Sequence, residues 1–224
     1  KKLKIKLLKY VIIIFLFINF RRKGNAIIVQ NKDDYNFFSK KFKINKNKIF
    51  LVRGSGVNIN HFQYMKEPSI HPIIVTFVGR IIKDKGIETL FSAFKKVSAV
   101  NKNINLLIAG DIDVSNPSAI SKNYIDQELK ENKNVTWLGN INNIKELWNK
   151  SHIAILPSRR EGLPKSLLEA AASGKPIIAT DVPGCREIAI NNFNALTVPL
   201  DNVDELAEAI KYLASNHMVR KRYG

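Results

Sequence analysis

From Ile73 to the end of the chain, short apolar runs alternate with longer stretches whose apolar residues recur at helical spacing. IIVTFV (Ile73 to Val78) is one such run, ending at Gly79; behind it Ile87, Leu90, Phe91, Phe94 and Val97 fall at three- and four-residue steps. A period near 3.6 gathers residues on one helix face, whereas a brief apolar run bounded by turn formers suits a strand covered on both sides. The theme returns in INLLIAG, NVTWLG, HIAILP, PIIAT and ALTV, each followed by a helix candidate. The last helix carries Leu206, Ile210 and Leu213 on one face behind an acidic start at Asp201, Asp204 and Glu205, where carboxylates suit the positive end of the helix dipole. Strands alternating with helices predict an α/β fold, a parallel sheet with helices on both faces.

Ahead of this, AIIVQ (Ala26 to Gln30), NKDDYNFFSKKF and KIFLVRG (Lys48 to Gly54) predict a further strand, helix and strand. A boundary is expected after Gly56, where GSGVNINHF leads through Glu67-Pro68 and His71-Pro72 into the next run. The expected organisation is thus residues 1–56 as the end of one domain, 57–72 as a connector and 73–224 as a second domain. With 224 residues, starting at Lys1 without methionine and stopping just after a basic helical pattern, the chain is read as a fragment lacking material at both ends. A complete small α/β protein is the alternative.

The stretch richest in chemistry is EGLPKSLLE, Glu161 to Glu169, which sets two carboxylates eight positions apart around a predicted helix start, between the strands HIAILP and PIIAT. Glu161 falls in the loop, Gly162 frees the backbone, and Pro164 suits the first helical turn, where its missing N–H costs nothing. A helix start of this kind holds anions through its unpaired amides and dipole. Glu169 lies about two turns further in, roughly 10 Å along the axis. Two acids on either side of an anion site suit a bound diphosphate with hydroxyls at each end, the shape of a nucleotide sugar.

This segment resembles the E-x7-E signature of the retaining glycosyltransferases of family 4, which have the GT-B fold of two Rossmann-like domains facing a cleft. VTFVGRIIKDKGIETLFSAF (Val75 to Phe94), LLIAGD (Leu106 to Asp111), VTWLGNI (Val135 to Ile141) and TDVPGCREI (Thr180 to Ile188) resemble the family's other motifs, in order, over Val75 to about Ala214. The resemblance implies that residues 73–224 are the nucleotide-sugar-binding domain, truncated at its end, and that residues 1–56 close the acceptor-side domain. It implies that Gly79, Arg80 and Lys85 meet the donor diphosphate, with Gly162 and Leu163 adding backbone N–H groups. By the same resemblance Glu161 would hold donor-sugar hydroxyls near the departing phosphate, Glu169 would accept the ribose hydroxyls, and Arg80, Lys85 and Glu161 would be the catalytic set. The activity implied is transfer of a hexose, with retention, to a lipid-linked oligosaccharide or surface polysaccharide, the fragment alone being inactive. For each residue a plainer role exists: a surface turn for Gly79, Arg80 and Lys85, a loop acid paired with Arg159 or Arg160 for Glu161, an exposed helix acid for Glu169. The family's amino-terminal glycine loop and acceptor-side histidine have no counterpart here, and Asn194-Ala195 stands where many relatives have Asn-Gly.

Charge changes the picture only locally. Up to Arg53 fifteen Lys and Arg face two acids, net +13, whereas from Gly54 onward twenty-one face seventeen, net +4. Two readings stand side by side: an AT-rich coding bias towards Lys, Asn and Ile, or a face that meets anionic lipid at the cytoplasmic side of the inner membrane. KKLKIKLLK, YVIIIFLFINF and RRK place an apolar run of about ten between basic clusters, too short for a span of roughly 20 and lacking a signal-peptide cleavage site. A helix packed within the first domain and an interfacial helix both fit. Cys185 is the single cysteine, so an internal disulfide is excluded and a reducing compartment fits. The four histidines are scattered, and Asp111-Ile112-Asp113 lies at a strand end, so neither a metal nor another cofactor is expected. A pI of about 9.9 raises nucleic-acid binding, but no zinc, helix-turn-helix or aromatic-basic signature supports it. Another GT-B enzyme remains as an alternative. An epimerase usually lacks the combination of Arg80, Lys85 and E-x7-E; a phosphorylase would need a lysine-bound cofactor that no motif announces.

Overall fold

The computed structural model describes residues 2–69 and 71–224. The chain divides into two compact units, Lys1–Gly54 and Ser55–Gly224.

In the first unit a helix, α1 (Lys2–Arg21), precedes strand β1 (Ile27–Val29), helix α2 (Lys32–Asn36), a π-helical turn (Phe37–Lys41) and strand β2 (Ile49–Leu51). Asn31 caps α2 by accepting the Asp34 N–H at 2.8 Å, as short polar side chains do at helix starts. The two strands pair in parallel, Ile27 opposite Ile49. Val29, Ile44 and Ile49 form a small core against Phe20, Tyr35, Phe38 and Phe42. Leu8, Tyr10, Val11, Ile12, Ile14, Phe15 and Ile18 of α1 are exposed. Among the described residues no helix is long and apolar enough to cross a membrane. Lys1 lies outside the described residues, as do the side chains of Lys2, Lys4, Lys6, Lys9 and Arg21.

The second unit is built on β3 (Ile73–Val78), β4 (Ile104–Ala109), β5 (Val135–Gly139), β6 (Ile153–Leu156), β7 (Ile177–Thr180) and β8 (Ala195–Val198). These run parallel in the order β5-β4-β3-β6-β7-β8, with Val75 opposite both Leu106 and Ile153, and Ile177 opposite both Ala154 and Ala195. Each predicted strand in this half is present. The helices are α3 (Ile87–Val100), α4 (Lys122–Glu131), α5 (Ile144–Lys150), α6 (Lys165–Ala172), α7 (Pro183–Arg186), α8 (Val203–Ser215) and α9 (His217–Tyr223). Strand order grows outward from β3 in one direction and then, from β6, in the other. Right-handed crossovers place α3 and α4 on one face and α5 and α6 on the other. Val75, Phe77, Leu90, Phe94, Leu106, Ile153, Ile178 and Ile210 are buried in the core between the layers.

Three local expectations are adjusted. Pro164 is the residue before α6 rather than part of its first turn, because its ψ of 113° is extended. Asp201 lies outside α8 with a φ of 56°; the cap is Asn202, whose side chain accepts the Glu205 N–H at 3.0 Å. Residues 57–72, read as a connector, fall within the second unit, where Phe62 is buried and the Met65 N–H donates to the Ser173 carbonyl at 3.1 Å.

Candidate functional site

In an open parallel sheet, the two strands where the order reverses have loops that part to opposite faces and leave a crevice at their carboxyl ends. Here those strands are β3 and β6. Gly79 and Arg80 follow β3, and the segment from Pro157 to Glu161 follows β6.

Behind Arg80 the chain makes a 3₁₀ turn, Lys83–Lys85, closed by Gly86 at a φ of 72°. A Cβ on Gly86 would sit 1.9 Å from the Pro157 carbonyl oxygen, so this turn presses against the end of β6 as only glycine permits. The Arg159 N–H donates to the Asp84 carbonyl at 2.8 Å and ties the two loops together. Their contact brings Lys85 Nζ to 2.6 Å from Glu161 Oε1, with both side chains largely buried. The acid therefore pairs with Lys85 rather than with Arg159 or Arg160; Arg159 Nε instead meets Asp201 Oδ1 at 3.1 Å. A charge-assisted bond with little access to water is stronger than its surface counterpart, but each charge depends on the other for compensation.

The loop after β7 buttresses this arrangement. The Gly184 N–H of α7 donates to the Glu161 carbonyl at 3.3 Å, and a Cβ on Gly184 would fall 2.5 Å from the Gly162 carbonyl oxygen. Gly162 and Leu163 then turn the chain towards the positive end of α6, with Leu163 packed on the core. On α6, Glu169 is 7 % exposed and its Oε1 lies 3.6 Å from Lys165 Nζ. Burial pushes the Glu169 carboxyl above the usual carboxylate range, while Lys165, the Trp148 indole and His61 favour its charged form. The Trp148 N–H faces this carboxylate without completing a hydrogen bond.

Arg80 is mostly exposed, and its Nη1 donates to Asp113 Oδ2 at 2.7 Å. The Ser115 hydroxyl and then the Arg80 guanidinium hold the Asp113 carboxyl below its ordinary range. Arg80 and Asp113 border a cleft of about 390 Å³ at the carboxyl ends of β3, β4 and β5, lined also by Gly79, Asp111, Asn140 and Ile141. A Cβ on Gly79 would meet nothing nearer than the Phe77 ring at 3.4 Å. Among the described residues no group of three or more His, Cys, Asp or Glu could hold a metal ion. A larger cavity of about 580 Å³ lies at the opposite end of the sheet, beside Glu67, His152 and Arg220, away from the crevice where sheets of this type bind ligands.

Of the residues singled out from sequence, Lys85 and Glu161 are in direct contact, Arg80 and Gly79 border the cleft beside them, and Gly162 and Leu163 continue from Glu161 towards α6. Glu169 sits on α6 with Lys165 and Trp148 as its neighbours. Sequence reasoning missed the partners: Asp113 for Arg80, Trp148 for Glu169, and the glycines that let the loops meet. Gly86 alone carried a local signal, as a glycine between a charged turn and a helical pattern.

Residues 63–224 match the family Glycosyl transferases group 1. The capsular polysaccharide biosynthesis glycosyltransferase CapM of Staphylococcus aureus is 29% identical over 151 residues, covering 67% of this chain and 39% of that protein. N,N'-diacetylbacillosaminyl-diphospho-undecaprenol alpha-1,3-N-acetylgalactosaminyltransferase of Campylobacter jejuni is 28% identical over 195 residues, 82% of this chain and 50% of that protein. The chain thus spans half the length or less of these two relatives. A crystal structure of a mutant S. aureus TarM in complex with Fondaparinux, alpha-GlcNAc-glycerol and UDP superposes with a TM-score of 0.75 at 20% identity, covering 89% of this chain and 38% of that one. At that identity the likeness shows the fold, the α/β architecture of GT-B glycosyltransferase structures. With the family matched over most of its length and its sheet built to the same plan, the chain belongs to the glycosyl transferases group 1.

Proposed function

We propose that this chain carries the donor-binding part of a retaining, family 4 type glycosyltransferase. The whole enzyme moves a hexose from a nucleotide sugar to a lipid-linked oligosaccharide or surface polysaccharide at the cytoplasmic face of the membrane, and this chain alone supplies donor binding without transfer. The observation that carries this reading is the buried Lys85–Glu161 pair, 2.6 Å between charged atoms, at the sheet's switch point. An acid and a base in contact there supply one group for a diphosphate and one for sugar hydroxyls. The UDP in the TarM structure supports the donor class, and the diphospho-undecaprenol in the Campylobacter relative's name supports the acceptor class.

In this reading the bond between the anomeric carbon and the diphosphate oxygen breaks, and the electron pair leaves with the nucleoside diphosphate. Lys85, Arg80 and the backbone N–H groups of Gly162 and Leu163 stabilise that charge as it develops, which is electrostatic catalysis of the bond-breaking step. Glu161 steadies hydroxyls of the oxocarbenium-like sugar. Glu169 accepts the ribose hydroxyls. The acceptor hydroxyl adds to the same face, and its proton passes to the departing phosphate. No metal or other cofactor has a part in these steps.

Isothermal titration of the chain with nucleoside diphosphates and nucleotide sugars should identify one binding series. Lys85→Ala and Glu169→Ala should each weaken it by about 1.5–3 kcal/mol, the range for hydrogen bonds to charged groups. Unchanged affinity in both variants would overturn the assignment.

A further inference from the structure

Trp148 is 1 % exposed, yet its indole N–H has no hydrogen-bond partner. Buried donors in native proteins are almost always satisfied, so an orphan asks for an explanation. The topology supplies one. The crossover from β5 to β6 and the crossover from β6 to β7 run in the same direction across the sheet, so right-handed connections put α5 and α6 side by side on one face. Trp148 on α5 and Glu169 on α6 are both buried, and the indole faces the Glu169 carboxylate.

We propose that Trp148 is a positioning residue for Glu169: its indole N–H closes on one carboxylate oxygen and leaves the other turned to the ribose hydroxyls of the donor. The inference rests on the reading of Glu169 as a ribose ligand. A carboxylate on a helix can rotate about its last torsion, and an acceptor that must meet two neighbouring hydroxyls gains from being held. Lys165, the cation beside it on the same helix, has a 67 % exposed side chain and is shared with solvent. Trp148 is buried and has a single orientation to offer. The groups that face Glu169 are Lys165 from its own helix, His61 from the segment before β3, and Trp148 from α5. The Trp148 indole is a neutral donor whose N–H favours the ionised carboxylate at every pH.

The chain has two tryptophans, Trp137 and Trp148. The Trp137 indole donates to the Gly110 carbonyl at 2.8 Å and serves as an internal reference. In the ¹⁵N-labelled 224-residue chain, assigned with Trp137→Phe and carrying His61→Asn to remove the neighbouring imidazole, the Trp148 indole proton should shift on acidification with one step. The step should vanish in Glu169→Gln. With UDP, GDP and ADP as probes, Trp148→Phe should lower the affinity of the best binder about three- to tenfold at pH 7 and move the acid limb of its binding profile to higher pH. In a Glu169→Gln background Trp148→Phe should add nothing. An indole signal indifferent to acid and to Glu169→Gln would overturn the proposal, as would an unmoved binding profile. If the indole titrates with Glu169 but Glu169→Gln binds the probes normally, the contact stands and the ribose reading falls.

Discussion

Lys85 and Glu161 are 76 positions apart and neither has another ion-pair partner among the described contacts, so each is neutralised only by the other. In the proposed function, a donor diphosphate drawing on Lys85 would replace that pairing and free Glu161 for sugar hydroxyls, so that charge would be redistributed on binding and not newly buried. Lys175 presents the contrasting case of a buried amine outside the proposed site. It is 2 % exposed and its Nζ reaches the Met65 carbonyl only at 3.5 Å. Burial pushes its pKa down to about 8, with the nearby charge of Glu67 opposing. Between about 8 and the ordinary 10.5 the unfolded chain holds more protons than the folded one, so stability rises with pH across that window. Below it both states are charged and the burial cost is borne in full. Lys175→Met should accordingly be more stable than the wild type at pH 7, by about 1–3 kcal/mol, with the gap narrowing from pH 8 to 10.5. Urea denaturation at several pH values measures this; a gap that does not change with pH would count against it. Arg80, Lys85 and Glu161 were visible in the sequence as charged groups at turns and Glu169 as an acid on a helix pattern, but which group each would meet was not. Contacts spanning 33 or 76 positions leave no local trace.

At the scale of elements, the turn Lys83–Lys85 and the end of β6 are held together by the absence of a side chain at Gly86. Gly86→Ala combines a φ of 72° with a contact of 1.9 Å to a backbone oxygen that cannot swing aside. It should cost at least about 2–3 kcal/mol of stability and also weaken nucleotide binding by displacing Lys85. Gly79→Ala meets only an ordinary contact at 3.4 Å with the Phe77 ring. Its stability should stay near wild type, while any loss of binding reports close approach of a ligand. Thermal melts and titrations on the two variants distinguish these outcomes; equal destabilisation would refute the contrast. Strands and helices of this half were legible because their apolar periods differ. Helix starts were less so: Pro164 and Asp201 suit several positions near a cap, and the backbone angles chosen there depend on where the preceding loop must pass.

At the scale of the molecule, the two units differ in charge and in covering. The first fifty-three residues carry a net +13 and the remainder +4, and the first unit's α1 exposes Leu8, Val11, Ile12, Ile14, Phe15 and Ile18. Basic groups flanking an exposed apolar helix suit a surface of anionic lipid. The chain should bind vesicles containing phosphatidylserine, more weakly as salt rises, and more weakly again when Lys1, Lys2, Lys4, Lys6, Lys9 and Arg21, Arg22 and Lys23 are neutralised. Sedimentation with vesicles tests this, and binding indifferent to both salt and substitution would favour coding bias as the origin of the charge.

The sequence by itself determined the class of fold and singled out the stretch we propose as the donor site. A buried parallel strand must be apolar on both faces and an amphipathic helix on one, so the alternation could be read without any contact. The E-x7-E spacing likewise follows from one stretch of chain. Which strands meet, and so where the crevice opens, was decided only in three dimensions, because strand order depends on the direction of each crossover. The same holds for the pairing of Lys85 with Glu161 and the approach of Trp148 to Glu169. Both arise where loops or helices from distant parts of the chain are packed against one sheet, and their geometry is set by backbone approach, by the glycines that allow it, and by burial.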